Sequence, residues 1–356
     1  MQFRSLAIAI GAATASLFFA GQAVGQTNVT IYGIIDSGLE VISNAGTAAQ
    51  ASTLERISSG NLSGSRIGFR GTEDLGGGLS AVFALENGMD VNTGAALQTN
   101  RLFGRQAFVG LQGAWGSLLL GRQNSLQLDW MSKYNTMDNA TWSSKVHDAS
   151  FSDRIDNAVK YTVKIVAPLE VSTYYSTGFD STKGGEIAGS VKAGREFGVG
   201  SQYTGDALKL AAVFDQKNGQ TAAVAADIDR HLTLGARFRV GSAVEVMGGY
   251  LWRKQDSAGT PIIRTDMFWF GANYQVTTPL LVSASFYHTN LRGSDADPSS
   301  IITLVKYSLS KRTDLYLINS YAVNKNGSTL GVNGFATDIA PGHNQFGTMA
   351  GVRHTF

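Results

Sequence analysis

Two arginines four residues apart in GSRIGFRG (64–71) are the first groups in the chain with a clear chemical use. Alternation puts Ile67 and Phe69 on one face of this segment and Arg66 and Arg70 on the other. A guanidinium stays charged at any relevant pH, so that second face forms a permanently positive wall. Arg122, in GRQ (121–123), is a further candidate. Its parity conflicts with the pattern, because Leu118 and Leu120 share its face; a bulge at Gly121 would resolve the conflict. The acidic counterpart is the segment 124–153, with Asp129, Asp138, Asp148 and Asp153 against Lys133 and Lys145. An acidic segment facing a basic wall sets up a transverse field that orients ions and dipolar solutes. The competing reading is that several of these aspartates cap turns at the segment's own bends.

No catalytic constellation accompanies these charges. The five histidines, His147, His231, His288, His343 and His354, are scattered, and neither GxSxG nor HExxH occurs. Zero cysteines exclude thiol catalysis, thiolate metal sites and disulfides. Lys and Arg number 29 against 27 Asp and Glu, so there is no basic excess of the kind a nucleic-acid binder carries. We expect no enzyme, no cofactor and no metal.

The elements that must hold the charges read as strands. HLTLGARFRV (231–240) places Leu232, Leu234, Ala236, Phe238 and Val240 on one face and His231, Thr233, Gly235, Arg237 and Arg239 on the other. VEVMGGYLWR, LKLAAVF and LSAVFALE alternate in the same way. A soluble sandwich would show the same pattern with the faces reversed, so no single strand decides between them. Connectors are more informative. Short ones, such as DLGGG (74–78), GAWG (113–116) and KRT (311–313), alternate with long polar ones, among them 44–61, 88–100, 124–153 and 257–262. Transmembrane barrels have this asymmetry between the two membrane sides. All five prolines fall in connectors, where no ladder donor is lost. The count is sixteen segments, starting near Val29 and ending with one that starts near Gln345. The expected fold is all-β: a transmembrane antiparallel 16-stranded β-barrel forming one domain over residues 26–356. The last segment runs to Phe356, the carboxyl-terminal residue, with period-two alternation, so the terminus is expected to be built into the sheet. At the other end, Arg4, the apolar stretch Leu6–Ala20 and the small residues Ala23-Val24-Gly25 describe a cleaved signal peptide, residues 1–25, with a cut after Ala23 as the competitor.

The text NVTIYGIIDSGLE (28–40), GSRIGFRGTEDLGGGLSAVFALE (64–86), RLFGRQAFVGLQGAWGSLLLGRQ (101–123), RIDNAVKYT (154–162), LSKRTDLY (309–316) and GVRHTF (351–356) resembles the general porins of beta-proteobacteria end to end. The resemblance implies a homotrimer of sixteen-stranded barrels in the outer membrane, in contact with its lipid and lipopolysaccharide. Small hydrophilic solutes would cross by passive diffusion, with loop 3 (124–153) folded into each bore. It also implies that Arg66, Arg105 and Arg154 occupy the positions of constriction arginines in anion-selective relatives, and that Phe356 is an assembly signal. With Arg70 and Arg122 these residues would form a basic constriction, opposite the loop's Asp129, Asp138, Asp148 and Asp153. The bland alternative has the arginines in wall salt bridges or on lipopolysaccharide phosphates. Asp36 and Glu40 are expected to meet water in the lumen. The alternative function is a substrate-specific porin for a small anionic metabolite or sugar; Trp269, opposite in parity to Phe268 and Phe270, is the residue that could belong to an aromatic ladder inside the bore.

Overall fold

Every alternating segment pairs antiparallel with its neighbour, and the last returns to the first. A computed structural model describes residues 28–47, 50–179, 184–186 and 188–356; the expected signal peptide lies outside these residues. The first half of the wall comprises β1 (Asn28–Ala45), β2 (Ser52–Ser59), β3 (Arg66–Gly76), β4 (Leu79–Gly88), β5 (Gln106–Gly113), β6 (Gly116–Asn124), β7 (Arg154–Val166), β8 (Leu169–Ser176) and β9 (Glu196–Thr204). The second half comprises β10 (Leu208–Asn218), β11 (Ile228–Val240), β12 (Val244–Ser257), β13 (Thr260–Gln275), β14 (Leu280–Leu291), β15 (Ser299–Ser308) and β16 (Thr313–Val323). A two-residue hairpin, β17 (Leu330–Gly331) and β18 (Gly334–Phe335), sits in the last loop before β19 (Gln345–Thr355). β19 pairs with β16 on one side and with β1 on the other, from Ile34↔Thr355 to Ile42↔Gly347. That pairing closes the barrel and removes both sheet edges.

β2 and β3 together fill one wall position, which makes sixteen among the described residues: β2 pairs with Ser37–Ala45 of β1, and β3 with Asn28–Ile34. Part of the expected polar connector 44–61 is therefore strand. The break between β2 and β3 is organised by Asp36 of β1. Its buried carboxylate accepts the backbone N–H groups of Leu62 (2.8 Å) and Ser63 (2.7 Å) and the Tyr316 hydroxyl (2.6 Å). Glu40, also buried, accepts from Arg56. The expectation that Asp36 and Glu40 face open water is corrected: both serve the wall, because a carboxylate placed beside unpaired backbone donors is best satisfied by them. A second correction concerns 257–262. β12 and β13 run on to a turn at Ala258–Gly259, and Pro261 lies inside β13, at a register shift opposite Asp256, where a missing donor is tolerated.

The faces are resolved by exposure. On β11, Leu234 is 46% exposed while its neighbour Thr233 is 0% exposed. Phe268, Phe270 and Tyr274 of β13 are likewise exposed. The apolar face points out and the polar face in, as in a membrane barrel and opposite to a sandwich. The buried apolar cluster lies inside the barrel. Loop residues Trp130, Met131, Tyr134, Trp142 and Phe151 pack there on Leu251, Met267, Trp269 and Tyr287 of the wall. Loop 3 starts with a helical turn, Leu126–Asp129, capped by Ser125. It continues through short 3-10 turns to Ser152. The wall gives it room with glycines: a Cβ at Gly200 would lie 2.8 Å from Trp130, and one at Gly347 2.6 Å from Trp142.

Candidate functional site: the charged bore

The space left between loop 3 and the wall is a cavity of about 1110 Å³. Its lining carries nine cations, Arg66, Arg105, Lys133, Lys145, Arg154, Arg237, Arg239, Lys306 and Arg353, against the acids Asp129, Asp138 and Glu245. The arginine side is built by neighbouring elements. Glu86 of β4 accepts the Arg105 Nε–H at 2.6 Å and lies 3.8 Å from an Arg66 nitrogen, while the Tyr32 hydroxyl donates to its other oxygen at 2.9 Å. One carboxylate thus holds two guanidiniums. Arg154 opens β7, where its Nη1 donates to Ser152 O at 3.4 Å and its buried Nε has no partner. Among the described residues no carboxylate lies within 4 Å of the Arg154 guanidinium.

Two of the candidate arginines lie elsewhere. Arg70 shares the parity of Arg66 but is exposed over the Tyr32 ring, 5.0 Å from its centroid, and does not line the cavity. Arg122 sits at a register shift, with Gly121↔Ala158 followed by Gln123↔Ile155. The extra residue is therefore in β7, where Asp156 and Asn157 together oppose Arg122. Arg122 keeps the outward parity of Leu118 and Leu120, and its Nη1 pairs with Asp156 at 2.7 Å, as does Arg101. A bulge exists, but on the neighbouring strand, so it does not turn Arg122 inward.

The four loop aspartates also divide. Asp129 and Asp138 line the cavity; Asp129 is paired with Lys160 at 2.5 Å. Burial pushes the Asp138 carboxyl above its ordinary value, with Arg237 and Lys133 opposing. Asp148 and Asp153 do not line the cavity. Asp148 caps the turn at Ser150 N (2.9 Å) and lies 3.6 Å from Arg253 and 3.7 Å from His231. Burial would raise its carboxyl, but those cations and the Ser150 donors hold it below the ordinary range. Asp153 pairs with Lys217 at 2.7 Å. The loop's charges are thus split: Asp148 and Asp153 turn to the wall, while Asp129, Asp138, Lys133 and Lys145 face the cavity. His147 completes the docking, with Nδ1 2.8 Å from Thr289 Oγ1 and Nε2 2.8 Å from Ser300 Oγ. The Trp142 indole donates to Asn333 at 3.0 Å. Trp269 donates to Tyr134 O at 2.9 Å and meets Phe151 edge-on, so it belongs to this docking surface and not to an aromatic ladder.

Lys306 and Arg353 were not singled out from the sequence, nor were Arg237 and Arg239 as bore residues. The signal for the last two was present, since both lie on the polar face of HLTLGARFRV. What alternation lacks is depth along the barrel axis.

The family model described as Gram-negative porin matches residues 12–327. This chain belongs to the Gram-negative porin family. The porin is 29% identical to outer membrane porin protein 32 of Delftia acidovorans, over 97% of this chain and 98% of that one. It is 30% identical to an outer membrane porin protein of Bordetella pertussis, over 86% of this chain and 91% of the relative. Among solved structures it resembles the anion-selective porin from Comamonas acidovorans, with a TM-score of 0.80 and 25% identity, covering 93% of this chain and 100% of that one. It is thus an outer-membrane barrel that serves transport, and the porin is not an enzyme.

Proposed function

We propose that this porin is a general diffusion channel for ions and small hydrophilic solutes, leaning toward anions. The observation that carries the reading is the nine-to-three excess of cations over acids around the cavity, with Arg154 lacking a carboxylate partner among the described residues. Selectivity in wide pores follows the charges that line the narrowest section. The solved relative named as an anion-selective porin supports the same sign. Arg66, Arg105 and Arg154 are the constriction arginines of this reading, and Asp129 and Asp138 its acidic members. Arg70 and Arg122 act outside it. The porin works as a homotrimer exported with cleavage of residues 1–25, and Phe356 serves its assembly. With Trp269 used for packing, no feature favours a sugar-specific bore. Planar-bilayer recordings across a KCl gradient test the proposal. A chloride-preferring reversal potential is expected. No conductance would remove the channel reading, and a potassium preference would remove the anion-leaning one.

A further inference from the structure

A lysine on the loop side of the bore has no obvious structural reason to be there. Lys145 Nζ makes one hydrogen bond, to Asn139 O at 3.3 Å, and among the described residues no carboxylate lies within 4 Å of it. The groups acting on it from the facing wall are cationic: Arg105, Arg154 and Arg66. The carboxylate of that wall, Glu86, is already held by Arg105 and Arg66. On the loop itself, Asp148 is turned away toward His231 and Arg253, and Asp129 is taken by Lys160.

The backbone that carries Lys145 is pinned on both sides. Trp142 is fixed to Asn333, His147 to Thr289 and Ser300, and Asp148 to the far wall. The side chain is therefore presented to the cavity by a docked turn, Ser144–Val146, and not by a free loop. Holding a cation among three guanidiniums is unfavourable for the fold, and placements of this kind concentrate at functional positions.

We propose that Lys145 is a selectivity-determining residue, a loop-borne cation that faces the wall arginines across the passage and adds to them in admitting small anions. The inference rests on the anion-leaning reading above and deepens it by naming a residue of the loop. Its pH behaviour sets it apart from the arginines. Burial first, then Arg105, Arg154 and Arg66, push the Lys145 ammonium down to about 8. Its charge is present below that pH and lost above it, while the guanidiniums keep theirs.

The test is the KCl reversal potential of the intact porin at about pH 6.5 and about pH 9.5, for the wild type, Lys145→Gln and Lys145→Arg; the wild-type chloride-to-potassium permeability ratio is expected to fall roughly two- to fivefold at the higher pH. Lys145→Gln is expected to show the lower ratio at both values, and Lys145→Arg the higher ratio at both. A purely structural role would not produce the arginine rescue at high pH. Equal ratios in all three proteins at both pH values would overturn the proposal while leaving the anion-leaning reading intact. A wild type without anion preference at about pH 6.5 would instead strike that reading itself.

Discussion

At the scale of single residues, the arginines differ in what depends on them. Arg66 and Arg105 share Glu86, whereas among the described residues no carboxylate relies on Arg154. Reversing Arg66 and Arg105 together to glutamate should move ion selectivity toward cations. It should also leave buried Glu86 without its two cations, held by the Tyr32 hydroxyl alone, at a cost of about 3 kcal/mol in unfolding measurements. Arg154→Glu should move selectivity in the same direction with no carboxylate stranded. Reversal potentials and denaturant titrations on the two proteins separate these effects. Unchanged selectivity in folded protein would reject the residues as determinants of passage. The same distinction explains the fate of Arg122. Its outward parity is correct in the sequence, and the structure adds Asp156 as the group that neutralises it.

At the scale of elements, loop 3 behaves as an inserted core. Its aromatic residues meet wall positions kept small, so Gly347→Ala would place a Cβ 2.6 Å from the Trp142 ring. That overlap should cost roughly 1–3 kcal/mol and free the loop tip, seen as noisier single-channel currents. Quiet currents at wild-type conductance would contradict the packing account. The docking is also pH-dependent. Burial, then the nearby His288, pushes His147 down to about 3 from 6.5, with Asp148 opposing. Between these values a released loop binds a proton that the docked loop refuses, so acidification favours release, and above 6.5 there is no dependence. Proteolysis within 124–153 should therefore be faster at about pH 5 than at about pH 7.5, and His147→Gln should flatten the difference. Asp148 adds to this at lower pH, because its carboxyl is held below the ordinary range when docked and a released loop takes up that proton first. A flat wild-type profile would remove His147 from the account.

At the scale of the whole molecule, closure depends on the carboxyl terminus. The Phe356 N–H donates to Gly33 O and its carbonyl accepts from Gly33 N–H, each at 3.1 Å. Its ring lies on the outward face over Gly33, where a Cβ would come within 2.3 Å of it. Deleting Phe356 removes this last rung and the exposed aromatic end together. The deletion should lower the amount of heat-modifiable porin in outer-membrane fractions several-fold. Wild-type levels would show that neither the rung nor the aromatic is needed for assembly.

Strand positions and the division of each strand into two faces were legible in the sequence because both depend on local geometry. Successive side chains point to opposite faces, and turns need particular residues whatever surrounds them. Hence β6, β8, β10, β12, β14, β15 and β19 begin where the alternation starts, at Gly116, Leu169, Leu208, Val244, Leu280, Ser299 and Gln345. Alternation could not say which face meets water. It also could not foresee the break between β2 and β3, which depends on Asp36, 26 residues from its partner Leu62. The least legible part was loop 3. Its charges were visible by type, yet whether Asp148 or Lys145 faces the bore depends on how the loop rotates. That rotation is set by contacts with Asn333, Thr289, Ser300 and His231, more than 80 positions away. Local alternation and residue type were enough to specify the barrel and the presence of a basic wall. Which loop charges turn to the wall, Asp148 and Asp153, and which line the passage, Asp129, Asp138, Lys133 and Lys145, was settled only in three dimensions, because that choice is made by side chains that meet across the barrel interior and not along the chain.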